Sequence, residues 1–558
     1  MISALERRYE NLRFGPLFPD ILNEDRLVDS LESFHMLEGH SGCVNTLRWN
    51  KTGALLASGS DDRNVKIWKS GREIHNLVTG HEGNVFAVEF LQNSGDQKLV
   101  TGAADRVVAL HDIEASTCKK WELDGRVKRI CTVEHDPTLF WAAVECDNGV
   151  QQFDTRTENP EVIIRHTADR EFHDAKSVAV SEARPNLIVV GFDETAVRLY
   201  DRRNLNAPML TFSPLGANTY AYHATHVAFN KRGTEVVVNH GGGGGVYVFS
   251  VDAELDPKYM DRFHSVMELP REPVITSGAL PYPDLREIGS TAIREKHFAK
   301  AIDFYSDLIY RNDDRESHQD HRAFLSVCHS NRATALLLRR QRGDTYACVR
   351  DCIKALEIHR GNSKALLRLI KSFTTMEHIG LARKCVQKFK EWYPNDTAIE
   401  KMEEDVEALT PNDRPELVAP EGVVDYQERY GGSTNHQTDI KEANFFGSRD
   451  QYIIAGSDCG HMYIWNRDTS KIQGIFEADD HILNICQPHP DQFMIATAGI
   501  DDDILLWQPI LERPDAFLSR RVEDPYEFME KRADGMGGRI HLHMLRDLAR
   551  DNSQCVQS

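Results

Sequence analysis

The chain has 558 residues, of which 41% are hydrophobic and 27% are charged, a balance typical of globular proteins. This length favours about three domains. No stretch approaches the roughly 18 consecutive apolar residues of a membrane span, and the N-terminal sequence MISALERRYENL lacks the apolar core of a secretory signal. We therefore expect an intracellular multidomain protein that does not bind membranes.

Charge is unevenly distributed along the chain. The formal net charge is −20. Residues 284–400 contain 21 Lys and Arg against 16 Asp and Glu, a net of +5, which leaves −25 for the remainder. An acidic chain without a basic patch is poorly suited to nucleic-acid phosphates. We expect protein partners instead, with basic proteins such as histones or histone-modifying proteins suiting the acidic part.

No motif of an enzyme or of a metal site is recognised in the sequence. The 11 cysteines show no C-x-x-C spacing, which argues against a zinc ribbon or a redox pair. Cys348 and Cys352 lie one helical turn apart and could share a metal, although core packing is the favoured interpretation. P-loop, G-x-S-x-G and H-E-x-x-H motifs are absent. We predict a protein that is not an enzyme, with no cofactor and no metal.

The segment from Leu37 to Trp68, LEGHSGCVNTLRWNKTGALLASGSDDRNVKIW, has the Gly-His start, the SGSDD turn and the closing Trp of a WD repeat. This resemblance implies a hydrogen-bonded set that fastens the loop between blades onto a turn within the blade. The set comprises His40, Ser58, Asp62 and Trp68. We assign these four residues a structural role.

Six further units repeat this pattern of short alternating strands, which predicts a seven-bladed WD-repeat β-propeller. Residues 33–251 hold blades 1–5 and residues 424–510 hold blades 6 and 7. A propeller must close to protect its edge strands. We therefore expect the segment around Ser33 to Leu37, which precedes the first full blade, to supply the outer strand of blade 7.

Between blades 5 and 6 the apolar periodicity changes from 2 to 3.6, so the fold is mainly β with an α-helical insertion. Residues 284–400 read as three tetratricopeptide repeats. Pro-rich segments at 252–283 and 401–423 are interpreted as linkers that leave the module's orientation adjustable. The insertion follows the third strand of blade 5, so the module, the N-terminus and the tail 511–558 are expected to leave on one face.

Two tetrapeptides of the form aromatic-Asp-x-Arg end the third strands of consecutive blades, at 153–156 and 200–203. The pair resembles the doubled motif by which WD-repeat substrate receptors dock on the damaged-DNA-binding adaptor of cullin-4 ubiquitin ligases. This resemblance implies that the adaptor-binding residues are Asp154, Arg156, Asp201 and Arg203. An arginine suits such a contact because its fixed fork makes several charge-assisted bonds.

Those receptors also insert a helical segment that precedes the propeller. Residues 1–32 offer two candidate amphipathic helices for this purpose. The first places Leu5, Tyr9 and Leu12 on one face, and the second includes Ile21 and the apolar positions 27, 28 and 31. The alternative is a frayed N-terminal arm.

Taken over nearly its whole length, the chain resembles the WD and tetratricopeptide repeats protein 1 (adipose) family. The motifs that carry the match are HSGCVN at His40–Asn45 and TDIKEANFFGS at Thr438–Ser448. The resemblance implies a non-catalytic substrate receptor of the cullin-4 ligase, linked to restraint of fat storage and found in nucleus and cytoplasm. The alternative is a chromatin or co-chaperone scaffold with no link to ubiquitin.

The helical insertion suggests a second binding site. Tetratricopeptide domains that bind the acidic C-terminal peptides of chaperones use a clamp of cationic and amide side chains. The positions that align with this clamp are Arg286, Ser290, Asn331, Lys364 and Arg368. Residues four apart project from one face of a helix, so the spacing is compatible with a groove. A solvated, mildly basic surface is the alternative.

Overall fold

The structure is a computed structural model. It describes residues 25–146, 149–168, 171–214, 222–252, 259–275, 282–312, 319–409, 422–510 and 519–536. Within those ranges no helix is long and apolar enough to cross a membrane.

Seven antiparallel sheets form the blades, as the sequence predicts. The chain enters through α1 (Asp25–Asp29) and β1 (Leu31–Leu37). The strands of blades 1–3 are β2 (Val44–Trp49), β3 (Leu56–Ser60), β4 (Asn64–Lys69) and β5 (Arg72–Val78); β6 (Val85–Phe90), β7 (Lys98–Ala103), β8 (Val107–Asp112) and β9 (Thr117–Glu122); and β10 (Val127–Thr132), β11 (Leu139–Val144), β12 (Gly149–Asp154) and β13 (Glu161–Ile164).

A short hairpin, β14 (Thr167–Ala168) and β15 (Glu171–Phe172), precedes blade 4. The strands of blades 4–7 are β16 (Ala175–Val180), β17 (Leu187–Phe192), β18 (Val197–Asp201), β19 (Leu210–Phe212) and β23 (Val423–Val424); β20 (Ala224–Phe229), β21 (Glu235–His240), β22 (Gly245–Ser250) and β24 (Glu428–Tyr430); β25 (Ala443–Phe446), β26 (Tyr452–Ala455), β27 (His461–Asn466) and β28 (Ile472–Glu477); and β29 (Leu483–Pro488), β30 (Ile495–Gly499) and β31 (Ile504–Pro509).

The ring is closed by a strand from the N-terminal part of the chain. β1 pairs with β31 in antiparallel register, so that Leu31 lies opposite Pro509 and Leu37 lies opposite Ile504. The prediction of closure is confirmed, and the strand begins two residues before Ser33. β1 thereby covers the outer edge of β31, which would otherwise lack a partner strand.

Blade 5 is split by the helical insertion. Its third strand β22 pairs with β24, whose residues follow the insertion, and Val246 lies opposite Tyr430. The insertion therefore occupies the connection between the third and fourth strands, as predicted. Just before β24, the two residues of β23 add a parallel fifth strand to blade 4.

The insertion is built from antiparallel helices, which we call the helical module (residues 283–407). They are α3 (Pro283–Arg294), α4 (Phe298–Asn312), α5 (Gln319–Arg339), α6 (Asp344–Ile358), α7 (Ser363–Thr375), α8 (Ile379–Trp392) and α9 (Glu400–Glu407). A Cβ at Gly289 would lie 2.5 Å from the ring of Tyr305. A residue without a side chain is therefore needed where α3 crosses α4.

The helical module is packed onto the propeller. One continuous apolar core joins blades 4 and 5 to the module, and α2 (Tyr259–Glu268) contributes Phe263 to it. The Phe263 ring meets Phe373 of α7 edge-on, with centroids 5.5 Å apart. The expectation of a linker that leaves orientation adjustable is therefore corrected for residues 259–268, because these residues form a helix with buried apolar side chains.

A buried ion-pair network fixes the module to the outer strand of blade 5. Asp344 at the start of α6 accepts bonds from Arg339 at 2.8 and 3.0 Å, and from Arg429 of β24 at 2.8 Å. Arg342 also donates to the carbonyl of Gly242, in the turn between β21 and β22. That turn belongs to the face opposite the strand connection from which the module leaves. The module thus runs along the rim of the propeller rather than staying on one face.

The C-terminal segment also docks on the propeller. Helix α10 (Pro525–Met536) places Met529 in the core of blade 6, and the rings of His461 and Phe528 are in tilted contact with centroids 4.6 Å apart. The helical module contacts the same blade, because Asp303 of α4 accepts a hydrogen bond from the backbone N–H of Ile472 in β28 at 3.0 Å. The rest of the tail, residues 511–518 and 537–558, lies outside the described residues.

Candidate protein-interaction surface

The four residues assigned a structural role come together in blade 1. The ring of His40 bonds through Nδ1 to Asp62 at 2.8 Å and through Nε2 to Ser58 at 2.7 Å. The indole N–H of Trp68 donates to the same Ser58 hydroxyl at 2.8 Å. Burial opposes ionisation of Asp62, but His40 and the backbone N–H groups of Ser41 and Asn64 together outweigh this and hold the pKa of the carboxyl below its usual value.

Blade 2 contains an equivalent set that the sequence interpretation missed. His81 bonds to Asp105 at 3.0 Å and to the hydroxyl of Thr101 at 2.8 Å, and Thr101 in turn contacts His111 at 2.9 Å. Thr and His therefore replace Ser and Trp. The available signal was Asp105 in the turn, six residues before His111 of the third strand.

The two aromatic-Asp-x-Arg tetrapeptides have the same local structure. Asp154 and Asp201 are the last residues of β12 and β18, and each carboxylate accepts the backbone N–H of the arginine two residues later at 2.9 Å. The Nε atoms of Arg156 and Arg203 also lie 2.9 Å from these carboxylates. This side chain to backbone turn is typical of Asp.

Both arginines point into solvent. Their side chains are 70% and 72% exposed, whereas the paired aspartates are 19% and 17% exposed. Bonding to the arginine lowers the pKa of Asp154 and of Asp201 to about 2. A guanidinium has five N–H donors, so each arginine keeps donors for a partner while the carboxylate holds its fork in place.

Non-covalent contacts connect blades 2, 3 and 4 next to these arginines. Lys119 of blade 2 donates to the carbonyls of Thr155 and Thr157 at 3.2 and 2.6 Å. Arg202 lies over the ring of Trp141 at 4.3 Å and pairs with Asp136 at 2.8 Å. A cleft of about 380 Å³ opens between blades 3 and 4 beside Arg203. The face therefore presents two oriented cations in adjacent blades, with Arg203 at the edge of a cleft.

The N-terminal prediction requires a correction for residues 25–32. In the described part of the second candidate, residues 25–29 form α1 and residues 31–37 form β1. Leu27, Val28 and Leu31 are buried against blades 6 and 7. Arg521 donates to Asp29 at 2.7 Å and holds this segment from the C-terminal side. Apolar side chains that fill the chain's own core are not available for insertion into another protein. The first candidate helix, with Leu5, Tyr9 and Leu12, lies outside the described residues, as does Ile21.

The five residues of the proposed peptide clamp differ in exposure. Asn331 and Ser290 both bond to the hydroxyl of Tyr305, inside the helical module. Arg368 donates to Ser330 and is largely covered, whereas Lys364 is exposed. Arg286 is half-buried. Most of these groups therefore already serve contacts within the module, and their peptide-binding role stays a prediction.

Comparison with known proteins places the chain in a family. The WD domain, G-beta repeat family matches residues 31–69. WD and tetratricopeptide repeats protein 1 of Homo sapiens is 32% identical, over 88% of this chain and 86% of its own length. The chain belongs to the WD and tetratricopeptide repeats protein 1 family. The resemblance found from the sequence motifs is thus confirmed.

Two other relatives bear on this family. Protein ALTERED SEED GERMINATION 2 of Arabidopsis thaliana is 26% identical, with 88% of each chain covered. DDB1- and CUL4-associated factor 6 of Homo sapiens is 28% identical over 39% of this chain and 28% of its own length. By its name, the latter protein associates with DDB1 and CUL4.

Proposed function

We propose that this chain is a non-catalytic substrate receptor that docks on the damaged-DNA-binding adaptor of a cullin-4 ubiquitin ligase. The observation that supports this most directly is the repeated local structure at Arg156 and Arg203. Two exposed guanidiniums, each held by the carboxylate two residues before it, occur at the same position in adjacent blades. The relative named as a DDB1- and CUL4-associated factor agrees with this proposal.

The arginines would act as preorganised interface contacts. Each is oriented by its own aspartate before binding, so little side-chain freedom is lost when a partner arrives. Arginine is enriched among the residues that dominate interface energies, which contribute about 2 kcal/mol or more each. Two such contacts would account for roughly a thousandfold of affinity, since about 1.4 kcal/mol corresponds to a factor of ten.

Surfaces away from the two arginines would bind the protein that is to be ubiquitinated. The helical module and the face of the propeller opposite the two arginines supply surfaces for such a substrate. A role in restraining lipid storage, and a location in nucleus and cytoplasm, belong to this same proposal. They rest on family resemblance.

The test is binding of the purified adaptor to the full-length chain. Arg156→Ala/Arg203→Ala should weaken the affinity at least 100-fold. Arg156→Lys/Arg203→Lys should weaken it as well, because an ammonium keeps the charge but not the planar fork. Arg294→Ala/Arg311→Ala is a matched control, since those arginines are 66% and 69% exposed and each is paired with a carboxylate.

The control should bind like wild type. Equal affinity of the wild type and the Arg156→Ala/Arg203→Ala variant would remove the basis for adaptor docking. A chromatin or co-chaperone scaffold without a link to ubiquitin would then be the better reading of this chain.

A further inference from the structure

The connection between blades 3 and 4 contains the extra hairpin β14–β15, and a histidine stands on either side of it. The backbone N–H of His173 donates to the carbonyl of His166 at 3.1 Å, so the two residues lie directly opposite each other. Opposed residues of an antiparallel pair project from the same face. The two rings accordingly stack, with centroids 5.3 Å apart.

A carboxylate completes this group. Glu194, in the turn between β17 and β18, has its Oε1 at 3.0 Å from Nε2 of His166. One ligand atom from each of His166, His173 and Glu194 lies within 4.8 Å of the other two. Around a tetrahedral ion with bonds of about 2.0–2.2 Å, ligand atoms are roughly 3.4 Å apart. A shift of about 1 Å would therefore bring all three into coordination.

An outer carboxylate is also in place. Asp193 accepts a bond from Nδ1 of His173 at 2.8 Å. A proton held on Nδ1 leaves the lone pair on Nε2, which is the atom that a metal would take. Carboxylates that orient ligating histidines in this way are a regular feature of metal sites.

The group is not a simple copy of the fastening set of blade 1. There, Ser58 lies two residues before Ser60, which pairs with Val44 at the start of the first strand. The matching residue of blade 4 is Val190, because Phe192 pairs with Ala175. Valine has no hydroxyl to bond a histidine, so His166 lacks the serine contact that His40 has.

One nearby group competes with a cation. The guanidinium of Arg198 bonds to the same carboxylate oxygen of Glu194. A bound metal ion would have to share this carboxylate or displace Arg198 from it. This competition makes a sharp prediction, because removal of Arg198 should strengthen metal binding.

We propose that His166, His173 and Glu194 form a binding site for a divalent transition-metal ion, with Asp193 orienting His173. Two imidazoles and one carboxylate are a ligand set suited to Zn²⁺. The ion would tie the connection between blades 3 and 4 to the turn of blade 4. A fourth position would remain for water or for a group of a partner protein. This site lies on the face opposite Arg156 and Arg203, and is independent of adaptor docking.

The experiment uses the full-length chain, treated with EDTA and then titrated with Zn²⁺ against a chromophoric chelator, and with Co²⁺ followed by its absorption spectrum. The wild-type chain should bind one more equivalent of metal ion than the His173→Ala variant. Asp193→Asn should weaken that equivalent by about 10- to 100-fold, as loss of an outer carboxylate does elsewhere. Arg198→Gln should strengthen it.

His135→Ala changes an exposed histidine of blade 3 and should leave the extra equivalent intact. Comparison between variants removes any contribution from the other histidines of the chain, which has 24. Melting curves recorded without metal establish that each variant is folded, and Asp193→Asn serves if His173→Ala is not. The same stoichiometry and affinity in wild type, His173→Ala and Asp193→Asn would overturn the proposal.

Discussion

The contact between the helical module and the propeller can be tested through Asp344. This carboxylate is buried between Arg339 and Arg429, which are themselves only 12% and 9% exposed. Burial would raise the pKa of Asp344, but the two guanidiniums outweigh this and lower it. Asp344→Ala would leave two buried cations without this counter-charge. Breaking a buried ion pair from one side costs about 3–5 kcal/mol.

The assay is urea unfolding followed by circular dichroism of the helices and by tryptophan fluorescence. With a slope of roughly 3 kcal/mol per molar urea, Asp344→Ala should lower the midpoint of the helical signal by about 1 M or more. Asp307→Ala is the matched control, because Asp307 pairs with the exposed Arg311 at 2.9 Å within α4, and such pairs contribute less than about 1 kcal/mol. Equal midpoints for the two variants would refute the idea that Asp344 holds the module to the propeller.

Three further predictions concern the stability of the fold. Trp68→Ala removes a side chain that is 4% exposed and should cost about 3–5 kcal/mol, so an unchanged urea midpoint would contradict the role given to it. Burial raises the pKa of Asp303 to about 7, against about 4 in the unfolded chain, so ionisation of this group lowers the stability of the fold as pH rises from about 4 to 7. Asp303→Asn should therefore stabilise the protein at pH 8 and have little effect at pH 4. A larger stabilisation at pH 4 than at pH 8 would contradict this. Deletion of residues 1–32 should destabilise the propeller by several kcal/mol, because it removes three buried apolar side chains worth about 1.5–3 kcal/mol each. A truncated protein as stable as the full-length chain would refute the packing of α1.

The parts of the fold that were predicted from the sequence are those with local signals. The repeat containing His40 and Trp68 carries its turn, its fastening residues and its closing strand within about 30 residues. The split of blade 5 was also predictable, because the apolar periodicity changes at the insertion and returns after it. The tetrapeptides ending at Arg156 and Arg203 could be located in adjacent blades for the same reason.

The parts that were missed depend on contacts between distant residues. Asp344 and Arg429 are 85 residues apart in sequence, and nothing in either neighbourhood indicates that they meet. The apolar residues at positions 27, 28 and 31 were predicted to form one face of a helix that binds a partner protein. In the structure they pack against blades 6 and 7 of the closed propeller. The pairing of His166 with His173 likewise arises from the hairpin between them and from the turn of blade 4.

In the proposed function, the surface around Arg156 and Arg203 contacts the adaptor. Hydrogen–deuterium exchange of the full-length chain, with and without the purified adaptor, tests this directly. Binding should slow exchange in peptides covering residues 150–160 and 199–207, and leave the peptide covering residues 37–45, on the opposite face, unchanged. Protection confined to the opposite face or to the helical module, with residues 150–160 and 199–207 unaffected, would contradict the account.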